Sequence, residues 1–351
     1  MTVEWIESDE AFAALPSDEW DALVERAPRP SPFLLHGWLT AWRRHFGDGA
    51  RLAVGLVRED GAITGALPLQ VRRVGPLRLA EWIGGTHAQL GHVLGNGDEL
   101  LAHVPGADLV RLTGLPGDSP YATIERVEAP VVDLSAGWDE TYARKLSSKR
   151  RSQHRKRIRD LEAAGVLRIR VVRAGEGLEH ALEQALRLHA RRWLGRRDGS
   201  TYGLPQGAAF HRDALEALAP RARIALLELN GRAIAFRYGL RVGDSLVGNG
   251  IGFDPDCARY SPGWVLMLAA LQDAAAEGVR RVELLGGDES YKLQLADPDP
   301  LYEGLLPFVP LGRAAAVARR HAIALRRRAK RSALLRRAYE SRPRRAATAD
   351  S

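Results

Sequence analysis

Two short stretches set chemistry-bearing side chains beside very small residues. In GGDESYK, Gly286 and Gly287 follow the strand-like string VELL and lead into Asp288, Glu289, Ser290, Tyr291 and Lys292. A phenol gives up a proton without carrying charge at rest, so Tyr291 suits a proton donor. Asp288 or Glu289 suits a base for an amine, and Lys292 suits a carboxylate or phosphate. The bland reading of the same string is that Asp288, Glu289 and Ser290 cap a helix and Tyr291 packs on the core. The second stretch, ARYSPGWVLMLAALQDAAAEG, passes through Ser261, Pro262 and Gly263 straight into an apolar helix. Ser261 as N-cap and Pro262 at the first helical position are an ordinary helix opening. The alternative use is to present free backbone N–H groups and a positive dipole end to an anion such as a phosphate.

Other residues invite structural readings. His189 and Trp193 stand i, i+4 on one helix, the spacing of a packed face. Asp254, in GFDPD, is a substrate contact or an Asp-Pro turn former. Cys257 is the only cysteine, which excludes an intrachain disulfide and a zinc-type Cys/His cluster. With no basic partner in its surroundings it reads as a bystander. No spacing forms a hydrolase triad or a metal-ligand set, so no metal is expected.

The elements that must position these residues follow from periodicity. Residues 1–140 alternate helix-like strings (DEWDALVERA, HGWLTAWRRHF) with strand-like ones (RLAVGLVRED, AITGALPLQVRR) around the turn Glu59-Asp60-Gly61. A second α/β unit begins with the basic helix SSKRRSQHRKRIRDLEAAG, closed by Gly165 and anchored by Ile158 and Leu161. The strand VLRIRVVRA and the helix GLEHALEQALRLHARRWL follow. Three consecutive strands are then joined at Asn230-Gly231 and Gly243-Asp244, both hairpin turns. The SPG helix and the strand RRVELLGG complete the unit. The expected division is residues 1–140, 141–310 and a tail at 311–351.

The charge is uneven. The chain has 351 residues and a net charge of +8, yet 13 Lys/Arg and one acid, Glu340, lie between Arg313 and Arg345. The body is therefore slightly acidic, and the basicity belongs to an amphipathic, partly disordered tail with nothing in it that looks like a core strand. That tail suits an anionic membrane surface or nucleic acid. The run from Lys149 to Arg159 is by default a solvated face, with phosphate contacts as the minority reading. No signal-peptide pattern or long uncharged apolar run occurs, so the expected location is cytoplasmic, peripheral at the inner face of a membrane if the tail binds one.

The order of strings KRRSQHRKRIRDLEAAG, LHARRW, FHR (Phe210 to Arg212), LELNGRAIAFRYGL, GFDPDCARYSPG and GGDESYK resembles the GNAT acyltransferase superfamily, in its FemAB-like and CelD-type (cellulose-biosynthesis) branch. The likeness covers roughly residues 140–295. PFLLHGWLTAW and GALPLQ in the first half look like that branch's preceding, degenerate copy of the fold. The resemblance implies an α/β fold of tandem GNAT-like domains, each a mixed, mainly antiparallel sheet flanked by helices. It also implies acetyl-CoA or another acyl-CoA as donor, its pyrophosphate at Arg259, Ser261, Gly263 and Trp264. In this pattern Pro262 and Trp264 stand where small residues are usual. Tyr291 then protonates a leaving thiolate, Asp288 or Glu289 serves as base, and His211, Asp254 and Lys292 contact substrate, with a solvent-exposed His211 the alternative. The resemblance leaves the acceptor unidentified: an amine or hydroxyl on a small molecule, glycan or peptide, with envelope or polysaccharide biosynthesis as one setting it suggests. Two alternatives stand beside this: a FemAB-like transferase using aminoacyl-tRNA, and a non-catalytic scaffold retaining the fold.

Overall fold

The computed structural model describes residues 1–175, 177–193, 201–287 and 291–331. The first half forms β1 (Thr2–Ile6), α1 (Asp9–Ala13), α2 (Ser17–Glu25), α3 (His36–Phe46), β2 (Ala50–Glu59), β3 (Ala62–Val74), β4 (Leu77–Trp82), β5 (Leu94–Gly95), β6 (Leu109–Leu115), β7 (Ile124–Glu128) and β8 (Val131–Asp133). The second forms α4 (Trp138–Lys145), α5 (Ser148–Ala164), β9 (Leu167–Val172), α6 (Leu178–Trp193), α7 (Gly207–Ala217), β10 (Ala222–Leu229), β11 (Arg232–Val242), β12 (Ser245–Phe253), α8 (Pro262–Ala276), β13 (Arg281–Glu283), β14 (Pro300–Pro307) and α9 (Pro310–Arg331).

The architecture is mixed α/β, with two mixed sheets flanked by helices. One sheet runs β1-β2-β3-β4-β6-β14-β7, with β5 paired to β3; the other runs β8-β13-β12-β11-β10-β9. The hairpin expected at Asn230-Gly231 is present, both residues adopting positive φ (52° and 76°) as a tight two-residue turn requires. Strands are exchanged in both directions across the expected division near 140. β8 leaves the first half to cover the edge of β13, and β14 returns from the second half to lie between β6 and β7. Neither exchange is a neighbour-to-neighbour connection, and strand periodicity carries no information about which sheet takes a strand.

The halves share one apolar core. Trp38 on α3 meets Phe210 on α7 edge-to-face at 4.8 Å. Gly37 lets the two helices approach so closely that a Cβ there would stand 2.7 Å from the Ala217 Cβ. A buried ion pair also crosses: Arg29 gives Nε and Nη2 to the Glu283 carboxylate, each at 2.7 Å.

The basic segments divide. On α5, Leu161 is buried with Ile158 packed beside it, as the pattern predicted. The tail corrects its expectation over residues 310–331, because α9 is a packed helix. Ala316 is buried with Leu79, Leu109 and Leu305, and Ile323 is buried as well. Arg319 pairs with the fully buried Glu303 at 2.9 and 3.0 Å, and Arg327 pairs with Glu125. The remainder of the tail lies outside the described residues. No described helix is long and apolar enough to cross a membrane.

Candidate active site

β12 and β13 run parallel and pair through Ser245↔Arg281, Leu246↔Val282 and Val247↔Glu283, and there the ladder stops. The next N–H of that segment, on Leu284, donates to the Pro130 carbonyl at 3.0 Å instead of to β12. Beyond Val247 the two segments part around a cleft of about 180 Å³, with Gly248, Asn249, Gly250 and Ile251 on one wall and Leu284, Leu285 and Gly286 on the other. The edge of β12 facing it has lost its strand partner, so its backbone groups are available to a ligand.

The local sequence explains the opening. Tyr238 pairs with Gly250 and Gly239 with Gly248, so Asn249 is the extra residue of a β-bulge. Glycine at 250 is required because a Cβ would lie 2.3 Å from the Tyr202 hydroxyl. At Gly248 a Cβ would stand 3.2 Å from the Glu283 carbonyl oxygen and 3.4 Å from Arg237 Nη2. The bulged strand thus admits side chains from its neighbours into the space between the strands.

Two donors face this cleft unsatisfied. Asn249 Nδ2 is buried and has no hydrogen-bond partner among the described residues. Arg237, half-buried on β11, has no carboxylate partner among them, and burial lowers its pKa from the ordinary value while nearby Tyr291 acts in the opposite direction. Tyr291 and Lys292 close the cleft from the far side. Lys292 is buried and donates Nζ to the carbonyls of Gly286 (3.2 Å) and Leu285 (3.5 Å), the latter residue at φ 56°. It therefore braces the turn after β13. Asp288 and Glu289 lie outside the described residues.

A stack of rings forms another wall. Tyr202 is sandwiched between His189, at 4.5 Å between ring centroids, and His211, at 4.0 Å. His211 corrects its expectation as a groove-lining or solvent-exposed residue. It is fully buried on α7 behind Tyr202, with Nε2 2.8 Å from Thr201 Oγ1. Burial first, then His189, pushes its pKa down to about 3, so it stays neutral over the ordinary pH range. Asp254 is likewise corrected from substrate contact to structural hub. Its buried carboxylate accepts the Asp256 N–H at 3.1 Å and pairs with Arg191 and Arg232 at 3.2 and 3.0 Å, away from the cleft. Cys257 is buried and its thiol pKa is raised by that burial, in keeping with a bystander.

The SPG turn opens α8 as the sequence implied, with one difference. Ser261 takes a left-handed conformation (φ 51°) and its side chain caps nothing. Its N–H donates to Ala258 at 3.0 Å, and the Trp264 N–H donates back to Ser261 at 3.0 Å. Of the three expected N–H donors, Gly263 alone has no partner among the described residues. Trp264 packs against the core beneath α8, and Arg259 holds the ring of Tyr260, Nη2 to the hydroxyl at 2.6 Å. Room exists at Gly263, where a Cβ would meet only Phe253, at 3.5 Å.

Pattern reading missed Arg237, Asn249, Tyr202 and Gln89 as cleft residues and took His189 and Trp193 as packing alone. The available signal was Gly248-Asn249-Gly250-Ile251-Gly252, whose alternate glycines are costly in a strand unless something must approach it.

Residues 148–293, from the start of α5 to just past Tyr291, match the family model of the acetyltransferase (GNAT) domain. A sequence comparison with curated proteins gave no match. Among solved structures, FemX superposes with a TM-score of 0.58 at 12% identity, covering 88% of this chain and 98% of that one. A conserved protein of unknown function from Bacteroides thetaiotaomicron gives 0.56 at 12%, covering 87% and 100%. L-PGS from Bacillus licheniformis gives 0.52 at 12%, covering 88% and 96%. At such identities the likeness is one of fold. The chain is mixed α/β, and the stretch similar to the acetyltransferase (GNAT) domain is the one that carries β12 and β13 and most of the cleft between them.

Proposed function

We propose that this protein is an acyltransferase that moves an acyl group, acetyl in the simplest case, from an acyl-CoA to an amine or hydroxyl on a small-molecule, glycan or peptide acceptor. The observation that carries this reading is the parting of β12 and β13 over a bulged, glycine-rich strand, with Tyr291, Arg237 and Asn249 on the opening. An acyl-CoA substrate brings the activated thioester. The residues present fit it at two points: the open edge of β12, and Gly263 on the positive end of α8, whose N–H has no partner among the described residues and which has free space beside it. Asn249 Nδ2 and Arg237 are donors whose desolvation is already paid, so they stabilise negative charge on a carbonyl oxygen without reorganising. Tyr291 gives its phenolic proton to the leaving sulfur, and Asp288 or Glu289, just before it in sequence, takes the proton of an amine nucleophile. Lys292, tied to two carbonyls, positions Tyr291. The ring stack of His189, Tyr202 and His211 supplies a rigid wall, and His211, neutral over the ordinary pH range, supplies no proton.

The test is calorimetric titration with acetyl-CoA of the wild type and of Gly263→Asp, which places a negative charge at the turn. One-site binding that disappears in the folded variant is the expected result. A second reading, with aminoacyl-tRNA as donor, is favoured by α5, where Lys149, Arg150, Arg155 and Arg159 stand exposed. Absence of acetyl-CoA binding together with co-purifying RNA would decide for it.

A further inference from the structure

Beside the cleft lies a larger groove of about 590 Å³ between the two sheets, and Gln89, Trp193 and Gly286 line both spaces. Its charged lining comes from three chain segments remote in sequence: Arg126 on β7, Glu303 on β14 and Arg319 on α9. Glu303 is fully buried, and both oxygens of its carboxylate accept from Arg319, at 2.9 and 3.0 Å. Arg126 approaches the same carboxylate through Nε, at 3.2 Å. The terminal Nη groups of Arg126 have no partner among the described residues, and the side chain is 30% exposed. Two guanidiniums therefore share one carboxylate. Burial lowers the Arg126 pKa, Glu303 opposes this, and Arg319, Arg326 and Arg111 lower it further, so negative charge is short at this place. A structural ion pair would need Arg319 alone. A second guanidinium, held by one nitrogen with its remaining donors toward a groove, has the planar geometry that takes a carboxylate or phosphate oxygen pair.

We propose that this groove holds the acceptor and that the acceptor is anionic, its carboxylate or phosphate group seated on the free Nη groups of Arg126 with Arg319 alongside. The proposal rests on the reading that acyl transfer takes place in the adjoining cleft. It narrows the acceptor to a molecule bearing both a nucleophilic amine or hydroxyl and a negatively charged group, the two separated by the distance from groove to cleft. It also gives α9 a functional part, since Arg319 is what leaves Arg126 in excess.

The experiment uses the full chain at low ionic strength, titrated by calorimetry with inorganic phosphate and, in a separate arm, with succinate, in wild type, Arg126→Gln and Arg126→Lys. Binding of at least one probe to the wild type is expected, and the arm that binds identifies the anion. R126Q should weaken that probe by about tenfold or more, the size of one charge-assisted hydrogen bond, and leave acetyl-CoA affinity unchanged. Where R126Q does not fold, R126K carries the test, because it keeps the charge and removes the fork; a several-fold loss is expected. Neither probe binding to the wild type, or wild-type probe affinity in the folded variants, overturns the proposal. Failure of the transferase reading shows separately, as absence of acetyl-CoA binding in all three proteins.

Discussion

Replacing Arg237 by Met separates a catalytic group from a structural one by the sign of its effect. Met keeps most of the aliphatic stem and removes the guanidinium. Among the described residues that guanidinium has no carboxylate and no hydrogen-bond partner, so the substitution breaks no ion pair or hydrogen bond among them, gives up the attraction of Tyr291, and relieves the cost of holding a cation out of water. R237M should therefore stabilise the fold by about 1 to 2 kcal/mol, a rise in Tm of a few degrees for a chain of this size. The same change removes a donor that the cleft holds ready for developing negative charge, a loss on the order of 100-fold in turnover. Differential scanning calorimetry reads the first quantity, and release of free thiol from acetyl-CoA in the presence of a supplied amine reads the second. An arginine that merely braced the strands would give the reverse: lower Tm and little change in rate beyond that. A fall in Tm of R237M with full activity would refute the assignment.

Tyr291→Phe keeps the ring and should lower kcat by about 10- to 1,000-fold with KM for the acyl donor nearly unchanged; an unchanged rate in steady-state kinetics would remove Tyr291 from the chemistry. Deleting residues from Pro310 onward uncovers Leu79, Leu109 and Leu305 and strips Arg319 from buried Glu303, so a loss of about 3 kcal/mol or more is expected in urea unfolding, and an unshifted midpoint would contradict the packed role of α9. His211 stays neutral in the folded protein down to about pH 3, whereas the unfolded chain takes up that proton near 6.5. The unfolded state thus binds more protons between those values, stability falls as pH drops through that window, and His211→Gln should flatten this part of the curve; an identical slope in denaturant midpoints would refute it.

What was legible in the sequence was whatever local chemistry decides. Asn230-Gly231 specifies its hairpin alone, and Pro262-Gly263 starts α8 because a residue without an N–H and one without a side chain suit a first helical turn. The cleft was not legible in the same way. Its position depends on where one strand pair stops, a property of two segments more than 30 residues apart in sequence. Arg237 reads as an ordinary outward residue of β11 until the bulge at Asn249 and the glycines at 248 and 250 clear a path beside it. The arginines of α9 read as a basic face for an anionic membrane surface or nucleic acid for a related reason. Nothing near Arg319 in the sequence announces that Glu303 is buried beneath it.

The place where the ladder stops has a cause in the first half of the chain. Glu283 makes the last pairing of β13 with β12, and its carboxylate is almost wholly buried. Arg29 grips it with two nitrogens at 2.7 Å, and Arg281 adds a third contact at 2.7 Å while also holding Asp299 at 2.6 Å. Bonds to charged groups that are this well satisfied and this far from water are costly to break, so the segment after Glu283 cannot slide along β12 to extend the ladder. Leu284 turns instead to the Pro130 carbonyl, on the link between β7 and β8. The first half thus supplies both the clamp at the last paired residue and the alternative partner for the next one. A stand-alone second half would lack Arg29, would leave Glu283 with Arg281 alone, and would have no fixed reason to keep β12 and β13 apart. The half without the acetyltransferase-domain match is in this way the part that holds the cleft open.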